Sequence, residues 1–554
     1  MAVSTPLVRR GMYCGSLDVP TQDLILKTRE MNVVESLKHF IYCFSSEQVL
    51  AATDAGMSTR DYLTSNGEDL KQYIGTLRDY QTVGTAFMYF SPRSIIGDGV
   101  GLGKTVEISA LLNMLHSKGE MKRFLMAVEN GAIGQTWMEL MRFTGLRIIL
   151  LPSTKDKLMK VVNETDWTKV DGIIITHSTL SSSTFSQWLS YNLYPDGQRC
   201  KIFDTFILDE SSVIKNQNTN MYRYTSNMCR LAKRVHFMNA TVFENNIMDI
   251  YYQMDMLDSE LLPSKSAIDK KFSVYKRTGY YYKKNSSGVA ERKMKLDRVG
   301  YKNQEIFKES LKLVYFARTI EDKAIREELG KKEDNNKYYV YEVEPTIAQT
   351  IAINDGYRYN EVLNSPANVD PEAGLEFTRE ENPKLDKLCE IVENDLAGKL
   401  VMIYCFHIAA QEKIAEELVK IGRKPVLLNG TGSSTNKVEQ RMEIIDGFNK
   451  GVYDVIITNI MKSLNLYNGD ACILYSIVGN PSKQTQILGR IDRNVDNKEK
   501  SYYLLLYAHT DEEKLYKEVA SQREQASRSL TIDARGAVSK FMEVVEAGEV
   551  NSDS

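Results

Sequence analysis

Short apolar runs alternate with amphipathic stretches in two parts of the chain. The first part extends from about Leu77 to Met254 and the second from about Leu385 to Leu506. This alternation predicts strands joined by helices, and therefore parallel sheets. The clearest strands of the second part are 400–404, 455–458 and 502–506. We predict an α/β fold with two tandem parallel-sheet lobes, in which ligands gather at the carboxyl ends of the strands.

A glycine-rich loop follows the apolar run Ser94–Gly97 and opens a helical stretch. Its glycines let backbone N–H groups surround phosphate oxygens, and the N-terminus of the following helix attracts the same charge. An ordinary strand-to-helix turn can have the same glycines, and the strict phosphate-loop pattern has glycine in place of Asp98. We predict that Lys104 reaches the β- and γ-phosphates of a nucleotide and that Thr105 binds Mg²⁺. The predicted nucleotide-binding residues of the loop are Asp98, Gly99, Gly101, Gly103, Lys104 and Thr105.

Two adjacent carboxylates end another apolar run. Asp209 and Glu210 directly follow Phe206–Leu208. At the carboxyl end of a buried parallel strand, one carboxylate can bind the water shell of a metal ion while the other polarises an attacking water. Alternatively, the two carboxylates could simply be exposed to solvent at the end of the strand. The phosphate loop upstream favours the catalytic interpretation. We predict Asp209 as a metal ligand and Glu210 as the residue that activates water.

Arg490 and Arg493 lie three residues apart near the end of the second lobe. On a helix, this spacing places both residues on one face. Arginines that approach a triphosphate from a second lobe accelerate phosphoryl transfer by about 10³ to 10⁵. Pairs with this spacing are usually solvated, so the inference depends on the other two motifs. With them, we predict that Arg490 and Arg493 complete a catalytic set with Lys104 and Glu210.

In this order, the three motifs resemble those of the superfamily 2 helicase-like ATPases, and in particular the Swi/Snf family of DNA translocases. Partial matches to that family extend from Leu77 to Arg493. The resemblance implies two RecA-like lobes and ATP hydrolysis with Mg²⁺. It also implies that Gln81, in the segment Leu77-Arg78-Asp79-Tyr80-Gln81, binds the adenine base. For nucleic acid, it implies contacts at Thr176, Ser178 and Thr458.

Some family positions differ in this chain. Ser211-Ser212 replaces the small residue and histidine that usually follow the acidic pair, and only Thr241 and Asn245 remain of the third motif. In the family, these positions help couple hydrolysis to movement of the nucleic acid. The set of residues expected for hydrolysis is complete, whereas these coupling positions are changed.

The motif order also predicts the division of the chain. We predict an N-terminal extension of unknown role over 1–70, a first RecA-like lobe over 71–260, a basic insertion and connector over 261–380, a second RecA-like lobe over 381–510, and C-terminal helices with a tail over 511–554. A chain with little beyond such a motor would suit a viral or phage member of the family.

Composition limits the binding partners, the metal chemistry and the cellular location that we expect. The 554 residues have a formal net charge of −3, so nucleic acid would have to bind at local patches. The seven cysteines contain no C-x-x-C pair, which argues against a disulfide framework or a structural zinc site. No apolar leader or membrane-spanning run is visible. We expect an intracellular, reducing location, cytoplasmic or nucleoid-associated, or the host cytoplasm for a viral protein.

One basic patch stands out between Pro263 and Lys302. Lysines and arginines, including Lys283 and Lys284, are interleaved there with tyrosines and few acidic residues. This mixture suits a surface that follows a phosphate backbone, and Lys283 and Lys284 are candidate contacts. A solvated insertion between the lobes explains the composition equally well. Asn285-Ser286-Ser287-Gly288 within it predicts a turn.

Three functions fit these features. The favoured one is a nucleic-acid-stimulated ATPase that translocates on double-stranded DNA. The second is a helicase or annealing enzyme of the same superfamily that acts on DNA or RNA forks. The third is a nucleotide-gated accessory or scaffold protein with weak turnover, associated with replication or transcription machinery. No membrane partner is expected, and the sequence is compatible with a monomer.

Overall fold

In the computed structural model, the described residues are 37–99, 101–192, 203–214, 216–239, 250–257, 264–284, 290–303, 314–318, 322–330, 336–354, 378–429, 435–460, 464–478, 481–491, 498–517 and 551–552. They form two seven-stranded parallel sheets and one two-stranded antiparallel ribbon. Helices flank each parallel sheet. The predicted α/β fold with two tandem RecA-like lobes is therefore confirmed.

The sheet of the first lobe has the strand order β3-β4-β2-β5-β6-β1-β9, and every neighbouring pair is parallel. Its interior strand β2 is buried along its whole length, as expected for a parallel sheet covered on both faces. The strands are β1 (Arg93–Ile96), β2 (Phe124–Val128), β3 (Ile148–Leu150), β4 (Gly172–Thr176), β5 (Thr205–Asp209), β6 (Arg234–Met238) and β9 (Tyr315–Phe316).

The second lobe repeats this architecture with the order β12-β13-β11-β14-β15-β10-β16, again with parallel neighbours throughout. The strands predicted at 400–404, 455–458 and 502–506 are confirmed as β11, β13 and β15. The strands are β10 (Lys337–Val343), β11 (Val401–Tyr404), β12 (Pro425–Leu428), β13 (Val455–Thr458), β14 (Ala471–Leu474), β15 (Ser501–Tyr507) and β16 (Asn551–Ser552).

The helices start and end where local chemistry favours it. The first begins with a reciprocal capping box between Ser45 and Gln48, and one helix of the second lobe begins at Pro383 behind the N-cap Asn382. The helices are α1 (Ser46–Asp54), α2 (Thr59–Ser65), α3 (Asp79–Phe90), α4 (Lys104–Ser117), α5 (Ile133–Thr144), α6 (Lys155–Glu164), α7 (His177–Leu180), α8 (Ser183–Asn192), α9 (Asn220–Leu231), α10 (Tyr251–Leu257), α11 (Lys265–Phe272), α12 (Lys323–Glu328), α13 (Ile347–Asn354), α14 (Pro383–Glu393), α15 (Ile408–Lys420), α16 (Thr435–Asn449) and α17 (Pro481–Leu488).

Each parallel sheet has an apolar core on both faces. In β2, Leu125 belongs to the core on one face and its neighbour Met126 to the core on the other. In β11, Met402 and Ile403 divide in the same way. Successive residues of a strand point to opposite faces, so continuous apolar strands require this two-sided burial. Among the described helices, none is both long and apolar enough to cross a membrane.

Three segments outside the two predicted lobes join their sheets or cores. Leu37, Phe44 and Val49, in the predicted N-terminal extension, lie in the core of the first lobe. Strands β9 and β10, in the predicted insertion and connector, add to the first and second sheets respectively. The packed lobes therefore include residues beyond 71–260 and 381–510. Strand β9 could not be predicted from periodicity, because its two residues are too few to give a periodic signal.

The antiparallel ribbon consists of β7 (Ser273–Lys284) and β8 (Ala290–Tyr301). It lies within the predicted basic insertion, and the turn predicted at 285–288 lies outside the described residues. After β15, residues 511–517 are helical, which agrees with the start of the helix predicted there. The remainder of the predicted C-terminal helices, from 518 to 550, lies outside the described residues.

A buried ion pair attaches this C-terminal helical segment to the second lobe. Lys384 Nζ lies 2.9 Å from both carboxylate oxygens of Glu512, and the Lys384 side chain is fully buried. Glu512 also accepts a hydrogen bond from the backbone N–H of Tyr507 at 3.1 Å. A buried carboxylate with these partners is well satisfied, but it becomes costly when its cation is removed.

Lys384→Met should therefore destabilise the second lobe by about 3–5 kcal/mol, because Glu512 stays buried without its cation. The double variant Lys384→Met/Glu512→Gln should recover part of this loss. The free energy of unfolding, followed by far-UV circular dichroism in denaturant, measures both effects. Lys399→Met, at an exposed position, is the matched control. Equal losses in the single and double variants would contradict a coupled pair.

Candidate functional site

Backbone geometry accounts for two glycines of the phosphate loop. Gly101 has φ 86° and Gly103 has φ 89°, both in the left-handed region that disfavours side chains. A Cβ on Gly103 would also lie 2.5 Å from Nε2 of Gln81. Gln81 donates from that nitrogen to the carbonyl of Leu102 at 3.2 Å and accepts from the Arg78 N–H at 3.2 Å. The predicted adenine-binding Gln81 therefore links the start of α3 to the loop.

Lys104 begins α4 directly after the loop. Its ammonium donates to the carbonyls of Asp98 at 2.7 Å and Gly99 at 3.3 Å. Burial lowers the pKa of Lys104, and the nearby carboxylates of Asp98, Asp209 and Glu210 oppose that shift. The field of Asp209 and Glu210 therefore reaches the ammonium. In the structure, the loop lysine and the acidic pair are therefore close enough for their charges to interact.

Beneath the loop, Arg318 binds two buried carboxylates. Its guanidinium is bonded to Asp98 through Nε, at 3.1 Å to Oδ2, and through Nη2, and Nη2 also donates to Glu107 Oε1 at 2.6 Å. Asp98 and Glu107 are both completely buried. Nη1 donates to the carbonyl of Tyr80 in α3. The side chain of Asp98 is therefore used inside the protein, and its carbonyl is the part that contacts Lys104.

Charges within this network shift two pKa values. Burial and the neighbouring Asp98 raise the pKa of Glu107 to about 8, although Arg318 opposes the change. Burial alone would lower the pKa of Arg318, but the carboxylates of Glu107 and Asp98 raise it instead. One cation thus faces two carboxylates, and Glu107 is easier to protonate than an ordinary glutamate because its pKa is raised. The close packing also explains Gly84, where a Cβ would lie 2.6 Å from Nη2 of Arg318.

Arg318 arrives on a segment that packs around the loop. Strand β9 pairs with β1, and the N–H of Gly99 donates to the carbonyl of Arg318 at 2.8 Å. Farther along, the carboxylate of Glu328 accepts from the N–H of Tyr80 at 3.2 Å, at the N-terminus of α3. Ile325 and Leu329 pack with Tyr80 and Leu102 in a small apolar cluster. Residues 314–318 and 322–330 therefore support the phosphate loop. The sequence places Arg318 in a stretch, 308–329, that resembles the family's connector into the second lobe, but it does not show that this stretch contacts the phosphate loop.

The acidic pair ends β5 in a constrained conformation. Glu210 has φ 53°, which is unusual for a residue with a side chain and costs about 1–3 kcal/mol. Its N–H donates to Oδ1 of Asp209 at 2.9 Å, and Nε2 of His177 donates to the Asp209 carbonyl at 2.9 Å. Non-glycine residues with this geometry concentrate at functional sites. His177, within the segment predicted to contact nucleic acid, thus positions the acidic pair.

Two contacts join the lobes, and one of them involves the acidic pair. Gln486 in α17 donates from Nε2 to Oε1 of Glu210 at 3.1 Å. Arg441 in α16 approaches Gly131 so closely that a Cβ on that glycine would lie 2.9 Å from Nη1. Burial lowers the pKa of Arg441, and Glu129 opposes that shift. The acidic pair of the first lobe therefore faces the helix that precedes the predicted arginines.

The predicted arginine pair is only partly described. Helix α17 ends at Leu488, so Arg490 lies in the following turn rather than on a helix face, which corrects the expectation of a shared helical face. Arg490 is largely buried, and its N–H donates to the Ile487 carbonyl at 3.0 Å. Arg493 lies outside the described residues. Arg490 follows Gln486 by four residues, so it remains close in sequence to the lobe contact.

The residues predicted to contact nucleic acid differ in how exposed their side chains are. Ser178 is exposed, and its hydroxyl lies 2.8 Å from that of Thr176 and donates to Asn130 at 3.1 Å. Thr458, by contrast, is completely buried and donates its hydroxyl to the Leu428 carbonyl at 2.7 Å. Because that donor is already used, the proposed nucleic-acid surface does not include Thr458. Lys283 and Lys284 lie at the end of β7.

The side-chain oxygens at this site are of the kind that bind a hard cation. Carboxylate and hydroxyl oxygens are the ligands that Mg²⁺ takes, and it retains several waters beside them. Asp209, Glu210 and Thr105 offer such oxygens, and the field of both carboxylates reaches Lys104 next to Thr105. In the described part of the chain, no cluster of three or more histidine, cysteine or acidic residues forms an all-protein metal site. A site completed by phosphate and water is consistent with that.

Arg318→Ala should destabilise the first lobe by about 3–5 kcal/mol, because it leaves Asp98 and Glu107 buried without a cation. Arg318→Lys should recover only part of this, since an ammonium cannot replace the guanidinium fork. All three tryptophans, Trp137, Trp167 and Trp188, belong to the first lobe, so tryptophan fluorescence during denaturation reports on it. Arg230→Ala, at an exposed site in α9, is the control. A loss no larger than the control's would contradict a structural role for Arg318.

The raised pKa of Glu107 predicts a pH dependence of stability. An unfolded glutamate titrates near about pH 4.3, and the folded value is about 8. Between these values the folded protein holds the extra proton, so stability should fall as pH rises, by up to about 1.4 kcal/mol per unit, and then level off. Glu107→Gln should remove this component from the same fluorescence measurement. Glu164→Gln, exposed in α6, should leave it unchanged. Identical pH profiles for Glu107→Gln and the wild type would refute the assignment.

Two family models match the chain in the order of its lobes. The SNF2-related domain matches residues 80–311, and the helicase conserved C-terminal domain matches residues 383–495. Together they cover well over half of the chain. The first includes the phosphate loop and the acidic pair, and the second includes Gln486 and both predicted arginines.

Curated relatives match over part of their length. The chain is 26% identical over 226 residues to the ATP-dependent helicase fft1 of Schizosaccharomyces pombe, which covers 36% of this chain and 23% of the relative. It is 25% identical over 181 residues to the uncharacterized ATP-dependent helicase YqhH of Bacillus subtilis, covering 33% and 29%. It is 31% identical over 166 residues to the DNA repair and recombination protein RAD54B of Mus musculus, covering 28% and 18%. The matches span less than a third of each of these relatives.

A solved structure is also similar. The SWI2/SNF2 ATPase core of Sulfolobus solfataricus in complex with dsDNA is 20% identical, with a TM-score of 0.38, and the match covers 86% of this chain and 96% of that one. The two lobes are defined by their own parallel strand orders. The two domain models match the chain one after the other, and each match includes strands of one parallel-sheet lobe. The chain therefore belongs to the SNF2 family of superfamily 2 helicase-like ATPases.

Proposed function

We propose that this protein hydrolyses ATP between its two lobes and uses the cycle to translocate on double-stranded DNA. The observation that carries the proposal is the hydrogen bond from Gln486 to Glu210, because it brings the second lobe onto the acidic pair beside Lys104. A site built from both lobes changes when they move relative to one another. Chemistry at that site can therefore be linked to lobe movement.

Within the site, the roles follow from position. The N–H groups of the phosphate loop and the ammonium of Lys104 bind the phosphates, and Gln81, next to the loop, is the proposed adenine contact. Glu210 is the proposed base for the attacking water, held in its unusual backbone conformation and oriented by Gln486. Arg490 and Arg493 are proposed to approach the triphosphate from the second lobe. Hydrolysis then removes contacts that favour closure of the lobes.

Mg²⁺ is the proposed metal, with Thr105 and Asp209 as its protein ligands. When bound, it neutralises negative charge on phosphate oxygens. The role of Asp209 is supported by its position at the carboxyl end of β5, where ligands of parallel sheets gather. The position of its carboxylate is fixed by the bond to the N–H of Glu210.

Double-stranded DNA is the proposed polymer. Several relatives are named for DNA repair, including RAD54B and the DNA excision repair protein ERCC-6-like, which supports DNA over RNA. In the first lobe, Thr176 and Ser178 offer hydroxyl groups near the surface at the carboxyl end of β4. Such groups hold a phosphate backbone in place without selecting sequence.

Steady-state ATPase rates test this proposal. Measured without nucleic acid and then with duplex DNA, single-stranded DNA or RNA, the wild type should be stimulated most by duplex DNA. Glu210→Gln should lower the stimulated rate by about 10²- to 10⁴-fold, because it removes the base while keeping the shape. Glu164→Gln is the control for the loss of one carboxylate.

The other outcomes separate the alternatives. Stimulation mainly by single strands would favour a strand-separating helicase, and a forked-duplex displacement assay would then follow. No turnover with any polymer would favour a nucleotide-gated scaffold. A Lys104→Ala protein with the wild-type rate would overturn the site itself.

A further inference from the structure

The β7–β8 ribbon exposes apolar and aromatic side chains that a solvated insertion would not need. Tyr275, Tyr280, Met294 and Leu296 are 45%, 43%, 50% and 52% exposed. Among the described strands, β7 and β8 pair only with each other. Contiguous apolar exposure on a projecting element usually marks an interaction surface.

Register places these side chains on one face of the ribbon. Arg277 lies opposite Leu296, and Tyr280 lies opposite Met294. Opposite residues of an antiparallel pair share a face, and so do alternate residues of one strand, which adds Arg292 to the same face. The shift in register between Arg277 and Gly279 keeps Arg277 and Tyr280 together despite their odd spacing.

On this face, two guanidinium groups converge on one ring. The Arg292 guanidinium carbon lies 3.6 Å from the centre of the Tyr280 ring, and that of Arg277 lies 4.2 Å from it. Cation–π attraction holds each in place. Within the described residues, neither arginine makes an ion pair with a carboxylate, so their mutual repulsion has no counter-charge there. Two pre-positioned guanidinium groups are well suited to bind a phosphate.

The whole ribbon is positively charged. Its two strands contain eight lysines and arginines and only two acidic residues, whereas the complete chain has a net charge of −3. The positive potential is therefore concentrated on this element. A partner that complements it must be polyanionic and must offer phosphates along its length.

We propose that the Arg277–Tyr280–Arg292 face of the ribbon is a second nucleic-acid contact, which grips the phosphodiester backbone apart from the lobes. The choice of nucleic acid over another polyanion rests on the proposed function. Tyr280 acts as the platform that holds both arginines, and Met294 and Leu296 cover the apolar surface beside them. The ribbon thereby adds affinity without selecting a base sequence.

The test measures binding by the full-length protein to a labelled duplex and to a labelled single strand, by fluorescence anisotropy across a salt series. Arg277→Ala/Arg292→Ala should weaken binding to at least one polymer by about tenfold at low salt and reduce the salt slope by about 1. Lys276→Ala/Lys295→Ala removes two positive charges from the opposite face, and it should weaken binding less than about threefold. Tyr280→Phe should behave like the wild type, whereas Tyr280→Ala should resemble the arginine variant.

Equal losses for the two double variants would overturn the proposal, because they would indicate general attraction rather than a site. Unchanged affinity for both polymers would overturn it as well. Loss of binding to phosphatidylserine vesicles, with binding to nucleic acid unchanged, would assign the face to a membrane and also refute it. ATPase activity without nucleic acid should be the same in every ribbon variant. Failure of the proposed function would instead appear as absent turnover, so the two failures are distinguishable.

Discussion

The phosphate loop depends on one buried cation. Arg318 sits between the carboxylates of Asp98 and Glu107, with its guanidinium against the start of α3. The desolvation of three ionisable groups is costly, and such networks hold together only when nearly every group is paired. The loop, the two helices beside it and strand β9 are therefore fixed in one arrangement. Glycines at 84 and 103 allow the parts to approach so closely, and Gly101 provides the left-handed backbone of the loop.

This network gives the connector a role in the nucleotide site. Residues 314–318 add a strand to the first sheet and bind the loop through Arg318, and residues 322–330 cap α3 through Glu328. The chain then continues toward β10 of the second sheet. A displacement of the connector would therefore disturb the support of the phosphate loop directly. That provides a covalent route between the lobes in addition to the contact of Gln486 with Glu210.

Sequence reasoning succeeded where chemistry is local. The phosphate loop and the acidic pair each follow an apolar strand, and parallel strands bring their carboxyl ends to one edge, so their meeting could be predicted from order alone. Arg318 could not be assigned in this way. It lies more than 200 residues from both of its carboxylate partners, and nothing near it in the sequence indicates which carboxylates it meets. Thr458 shows the opposite error, because a motif position gave no sign that its hydroxyl is bonded internally.

The interactions within the first lobe and between the lobes differ in strength, and that difference suits a motor. Removing one partner from the Arg318 network leaves a buried charge unpaired, which costs about 3–5 kcal/mol of stability. This network should therefore persist through the cycle. The bond from Gln486 to Glu210 is one hydrogen bond to a charged group, worth about 1.5–3 kcal/mol. A contact of that size can form on closure and break on opening without unfolding either lobe. Because it ends on the proposed base, closure and the orientation of Glu210 would occur together, and an open site would hold ATP without the base correctly placed.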